Sequence, residues 1–193
     1  MNLELLNKII SAIETQTFVE CYDVLQKILQ NVEHSLRNLD AYRWLMISQM
    51  ILSDDFIRVF QDKVDWYYIS DNYPLTKTSA EEFKDKLYWG YASKSQILSE
   101  DFIRDFKDKV DWAVTSRYQV LSEEFIREFQ DRVDWDWISM YQDLSEAFIR
   151  EFQDRVHWNS VSKYQKLSKR FVEEFKDKVN WELINVYQLF NDN

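Results

Sequence analysis

One glycine, one proline, one cysteine and two histidines are all that the 193-residue sequence holds of those residue types. Gly90 and Pro74 leave almost nothing from which to build β-hairpin turns, so a β-rich fold is disfavoured and short links between helices are expected. Cys21 has no partner for an intramolecular disulfide. Among Phe18, Val19, Tyr22 and Leu25 it reads as a packed core thiol in a reducing compartment. No apolar run approaches the roughly 18 residues of a membrane span, and Met1-Asn-Leu-Glu lacks the basic start of a secretory signal. No membrane partner is expected, and the reading is a soluble, intracellular protein. Positive charge is also short: 24 Lys and Arg face 34 Asp and Glu, a formal net charge of -10. The bases are interspersed with acids, so the chain repels phosphate backbones and direct binding of nucleic acid is not expected.

Aromatic residues, by contrast, make up 17% of the chain and apolar residues 46%, which is ample for a core. They are also periodic. Trp66, Trp89, Trp112, Trp135, Trp158 and Trp181 recur every 23 residues, and the surrounding sequence recurs with them in six repeats: Ser53 to Leu75, Thr76 to Leu98, Ser99 to Leu121, Ser122 to Leu144, Ser145 to Leu167 and Ser168 to Phe190. Each opens with Ser or Thr, usually followed by acids, as the N-terminus of a helix should: the hydroxyl caps free backbone N–H groups and the carboxylates suit the dipole. From Ser122, the residues Phe125, Ile126, Phe129 and Val133 fall on one stripe at helical spacing, the core face of a first helix, A. Asp134 then reads as a second N-cap, and Trp135, Ile138 and Tyr141 with the small Ser139 make a shorter helix B.

One such helical hairpin cannot stand alone. Ordering its residues costs on the order of 35 kcal/mol, more than eight apolar side chains offset, so neighbours must stack. The expected fold is all-α: an α-solenoid of stacked short two-helix repeats over 53–190, with a helical N-terminal entry module over 1–52 and a tail of 191–193. In the entry module Leu3, Leu6, Ile9, Ile10 and Ile13 form one helical stripe and Phe18, Tyr22, Leu25, Ile28, Leu29 and Val32 a second. Trp44-Leu-Met-Ile-Ser48 matches helix B and is a degenerate first repeat. Repeat two departs most, with Ser79 and Ala80 in place of Phe-Ile, Tyr88 in place of Asp, and Gly90 and Ala92 thinning helix B; its core is expected to be the loosest.

The recurring polar residues favour structure over chemistry. Asp62, Asp85, Asp108, Asp131, Asp154 and Asp177 hold one position without a His, Cys or second acid beside them, whereas metal sites need clustered ligands. Pairs such as Glu128 to Arg132 and Glu151 to Arg155 sit at i,i+4 spacing, and repetition allows them to link neighbouring repeats as a charged lattice. Ser70, Ser93, Ser116, Ser139 and Ser162 lack an accompanying base and read as small residues where helices approach. His34 and His157 are isolated. No catalytic residue, metal or cofactor is expected, and the tryptophans read as a row of buried indoles rather than a base-stacking ladder. Trp137 differs because no other repeat has Trp at that position. With Tyr68, Tyr91 and Met140 it is the candidate partner-binding set. Leu183, Val186 and Phe190, apolar at i,i+3,i+7 in the last helix B, are the candidate self-association set, an end-to-end homodimer being the economical way to cover them.

The motif Leu-Ser-x-x-Phe-Ile-x-x-Phe-x-Asp-x-Val-Asp-Trp-x-x-Ile-Ser, clearest at Leu98 to Ser116 and Leu121 to Ser139, resembles tandem repeats encoded by giant DNA viruses of amoebae, the marseillevirus and mimivirus groups. Covering roughly residues 44–190, the resemblance implies a viral protein, in host cytoplasm or virion with the nucleus left open, and implies no biochemical role. Met1-Asn-Leu-Glu-Leu-Leu-Asn-Lys-Ile-Ile10 is similar to the opening of an F-box, although the usual Pro and a later Arg-x-x-Cys-Lys-x-Trp are missing. That likeness implies a ubiquitin-ligase substrate adaptor docking through residues 3–13. The leading expectation is a noncatalytic repeat scaffold for protein–protein interaction. An F-box-like adaptor is the alternative, and an enzyme the second alternative, resting on no motif.

Overall fold

A computed structural model describes residues 31–49 and 52–188. Every regular element among them is a helix. After a helical stretch over 31–37 come α1 (Ala41–Ser48), α2 (Asp54–Val59), α3 (Trp66–Asn72), α4 (Lys77–Phe83), α5 (Trp89–Ser95), α6 (Glu100–Asp105), α7 (Trp112–Tyr118), α8 (Glu123–Glu128), α9 (Trp135–Tyr141), α10 (Glu146–Glu151), α11 (Trp158–Tyr164), α12 (Lys169–Glu174) and α13 (Trp181–Tyr187). Even-numbered helices are the A helices and odd-numbered ones the B helices. The fold is the expected α-solenoid of short helix pairs. None of these helices is long and apolar enough to cross a membrane.

Each A helix begins where the hydroxyl predicts. Ser122 Oγ accepts the Phe125 N–H at 3.2 Å and Ser145 Oγ that of Phe148 at 3.1 Å. The helix then stops after six residues, and the carbonyls that follow it are spent elsewhere. In a longer helix Gln130 O would accept the Asp134 N–H. Instead it accepts the Trp135 indole N–H at 3.0 Å and an Arg155 guanidinium N–H at 2.7 Å, while Asp134 N donates to Ser116 Oγ. Phe129 O closes the turn by accepting from Arg132 and Val133. Asp134 caps α9 through the N–H groups of Asp136 and Trp137. Asp111, His157 and Asn180 cap their own B helices in the same way.

The chain divides into two compact units, residues 1–65 and 66–193. In the first, Trp44 packs on Phe60 at 5.2 Å and Phe56 at 6.3 Å. Ser48 Oγ donates to Trp44 O and accepts the Asp65 N–H, each at 2.8 Å. Arg37 bridges to Asp62 and donates to Val59 O. These are the contacts of a regular junction, so α1 behaves as the B helix of a repeat.

In the second unit α3, α5, α7, α9, α11 and α13 lie side by side, each packed on the next. The serines do more than leave room there. Ser139 Oγ donates to Trp135 O at 2.6 Å and accepts the His157 N–H of the following repeat at 2.9 Å. Ser116 and Ser162 do the same with Asp134 and Asn180. A second link is made by a glutamine that ends each regular B helix. Gln142 Oε1 accepts the Leu121 N–H at 2.9 Å, and its Nε2 donates to Ser116 O at 3.0 Å and Gln119 O at 2.8 Å. Gln119 and Gln165 repeat the pattern. All three are buried, so this ladder satisfies loop backbone groups that water cannot reach.

Two expectations need correction. The indoles are not buried; they are half-buried, and Trp181 is 43% exposed. Each interior ring is covered on one side by the phenylalanines of the next repeat, as Trp135 is by Phe152 at 5.0 Å and Phe148 at 6.2 Å. The Trp135 indole N–H reaches a turn carbonyl, Gln130 O, and the Arg155 guanidinium lies 6.0 Å from its ring centroid. Nor do the expected pairs such as Glu128 with Arg132 form, because the A helix ends between the two partners; the i,i+4 pairs present in these A helices are Arg104, Arg127 and Arg150 with Glu100, Glu123 and Glu146, at 3.6 to 3.7 Å. Arg104, Arg127 and Arg150 also reach Glu128, Glu151 and Glu174 of the next repeat at 2.8 to 2.9 Å. Asp85, Asp108, Asp131 and Asp154 likewise take Lys109, Arg132, Arg155 and Lys178. The lattice that joins neighbouring repeats is therefore the arrangement formed.

Candidate interaction surface

With A-helix charges committed between repeats, the outward side of the B helices carries a different chemistry. Tyr118, Tyr141, Tyr164 and Tyr187, one per repeat, are 43 to 50% exposed. The residue before each is Arg117, Met140, Lys163 or Val186. The Arg117 guanidinium lies 4.5 Å from the Trp137 ring centroid, 4.9 Å from Tyr118 and 5.5 Å from Tyr141. Lys163 sits 4.9 Å from Tyr164 and 5.1 Å from Tyr187, and Lys94 5.9 Å from Tyr118. None of these three cations forms an ion pair among the described residues. The Lys163 ammonium is held above its ordinary value first by its hydrogen bond to the Tyr164 hydroxyl.

The predicted partner-binding set is divided by the structure. Trp137 and Met140 are partly exposed on α9 and, with Asp134, Asp136, His157 and Ser160, line an open depression of about 400 Å³. Tyr68 and Tyr91 belong to a separate cluster on α3 and α5, where Tyr67 contacts Tyr68 at 5.1 Å and Tyr91 at 4.5 Å. Of the self-association set, Val186 is 69% exposed and Leu183 partly so, while Ile184 turns inward. Phe190, residues 3–13 of the F-box-like opening and Cys21 lie outside the described residues.

Sequence reasoning missed the cation–tyrosine row. Its signal was the Tyr recurring six residues after each Trp from Trp112 onward, joined to the change of the preceding residue. The glutamine ladder was equally visible as a 23-residue period at Gln96, Gln119, Gln142, Gln165 and Gln188. Among the described residues no three His, Cys, Asp or Glu side chains converge as metal ligands. His157 Nδ1 faces the Ser160 hydroxyl at 2.9 Å and serves as a helix cap.

The architecture defines a helical repeat protein of the α-solenoid class. Comparison with protein-family models, curated proteins and solved structures yields no match for this chain.

Proposed function

We propose that the chain is a noncatalytic repeat scaffold that binds another protein through the outward side of its B helices. The observation carrying this reading is the division of labour between cations. Arg104, Arg127 and Arg150 of the A helices cross-link repeats through carboxylates, whereas Lys94, Arg117 and Lys163 rest on aromatic rings with no ion pair among the described residues. Rigidly held aromatic and Arg side chains are the residue types that anchor protein interfaces, and a stacked array presents them in register. The setting taken in this proposal is an infected cell, on the resemblance of the repeat motif to those of giant viruses alone.

Affinity purification from such cells tests it. The proteins recovered with the wild type should be lost with Trp137→Ala plus Tyr141→Ala and kept with Arg127→Gln, a change confined to the A-helix lattice. Equal recovery by both variants would place the binding face elsewhere. A self-associating role through the last repeat is favoured by the exposure of Trp181 and Val186. Sedimentation showing a dimer that Leu183→Glu with Val186→Glu dissolves would support it, and a monomer at micromolar concentration would remove it.

A further inference from the structure

The chemistry of the B-helix row also specifies what it binds. Resting on the reading that this row is the binding face, we infer that its occupant is an extended peptide segment of a partner protein with two acidic side chains flanking an apolar one. Three observations converge on this. First, Arg117 and Lys163 stand two repeats apart with no carboxylate on either among the described residues, although the chain has ten more acids than bases, 34 against 24. The rings beneath hold each cation by its face and leave N–H donors for a ligand, so a partner carboxylate gains a charge-assisted bond at each site.

Second, the equivalent B-helix position in the repeat between them carries no cation. Met140 replaces the base there, and Met140 and Trp137 line the open depression of about 400 Å³. That volume admits a large side chain, and Trp137 and Met140 give an apolar one its contact. The Asp134 and Asp136 carboxylates at its rim repel an acid placed at the centre, which fixes the acids to the flanks and sets the register. Third, the helices that present these groups are neighbours in one layer. Packed helices lie about 8 to 10 Å apart, and a peptide in the extended polyproline II conformation rises about 3.1 Å per residue with three residues per turn, so that every third side chain faces the same way. Successive sites therefore meet every third residue of a peptide crossing α7, α9 and α11, which gives the pattern acid-x-x-apolar-x-x-acid. A nucleic acid fits poorly: its phosphates are evenly charged, and the centre of this strip is acidic.

A library of randomised dodecapeptides displayed on phage, selected against the full chain, is the probe. Enriched peptides should carry two acids about six residues apart around a Leu, Ile, Met or aromatic residue. A synthetic peptide of that sequence should bind at least tenfold more weakly to Arg117→Gln with Lys163→Gln and unchanged to Arg127→Gln. Exchanging its two acids for Lys should abolish binding. Enriched peptides that are neutral or basic, yet lose binding with Trp137→Ala plus Tyr141→Ala, would overturn the acidic partner and leave the scaffold reading intact. Peptides indifferent to both B-helix variants, or no enrichment at all, would overturn both. Tighter binding of a single-stranded oligonucleotide than of any peptide would overturn the inference as well.

Discussion

Repeat two, residues 76–98, carries Ser79 and Ala80 where repeat four, residues 122–144, carries Phe125 and Ile126; it has Tyr88, Gly90 and Ala92 where repeat four has Asp134, Asp136 and Ile138. Much of the apolar volume that was expected to define the unit is missing. Both nevertheless form an A helix and a B helix of similar length. Ser79 turns its hydroxyl to a reciprocal capping box with Thr76, and Trp66 keeps a single phenylalanine, Phe83 at 5.3 Å. Beside the apolar Phe83, Leu87, Trp89 and Leu98, which match Phe129, Val133, Trp135 and Leu144, repeats two and four share a polar set. Ser93 accepts the Asp111 N–H as Ser139 accepts that of His157, and Gln96 donates to backbone carbonyls of the preceding repeat as Gln142 does. The repeat is thus specified by backbone groups that must be satisfied at each junction, and core volume is the more negotiable quantity.

Substitutions that pit volume against hydrogen bonding sharpen the contrast. Phe125→Ala, at a side chain with no exposure, should cost about 3 to 5 kcal/mol in urea unfolding. Gln142→Leu conserves size but strands one N–H and two carbonyls; a loss of about 3 kcal/mol is expected. Gln96→Leu in the thinner repeat, where the amide is half-exposed, should cost about a third of that. Equal effects for the two glutamines would break the comparison. In the other direction, Tyr88 leaves α5 without a side-chain cap, so Tyr88→Asp should raise stability by about 1 kcal/mol. Thr115 offers a parallel gain. Its hydroxyl is buried in α7 without a hydrogen-bond partner, and Thr115→Val should stabilise by up to about 1 kcal/mol.

The smallest effect belongs to the charged lattice. The carboxyls of Asp85 and Glu174 are held below their ordinary 3.8 and 4.5 by hydrogen bonds from Lys109 and Arg150. A depressed folded-state value means that the stabilisation is full above the ordinary carboxylate range and is lost as pH falls through and below it. Because the groups are at the surface, the acid limb of a thermal-melt profile should shift only slightly on Arg150→Gln. A large shift would show that the lattice, and not the serine and glutamine bonds, carries the junction.

Much of this was readable from residue order. Helix A starts, the Asp134 N-cap and the Phe125, Ile126 and Val133 core follow from local rules, because a cap or a stripe depends only on residues within a few positions of each other. The same rules misread the charges. Glu128 and Arg132 are i,i+4 on paper, but α8 ends at Glu128, and in the turn beyond it Arg155 and the Trp135 indole claim the Gln130 carbonyl. One of those claimants comes from the next repeat, 25 residues away.

The sequence by itself determined the class, the 23-residue period, the helix starts and the apolar faces, since each is a property of spacing along one chain. Only the tertiary structure decided how repeats are joined and which cations are left without an ion pair among the described residues. Ser139, Gln142 and Arg127 have acceptors or donors in neighbouring repeats, and a side chain's partner across a junction is set by how two helices lie together rather than by how far apart their residues are in the chain. Once those partners are assigned, the cations left on exposed rings, Lys94, Arg117 and Lys163, stand apart from the charges already engaged. No count of residues could have separated them.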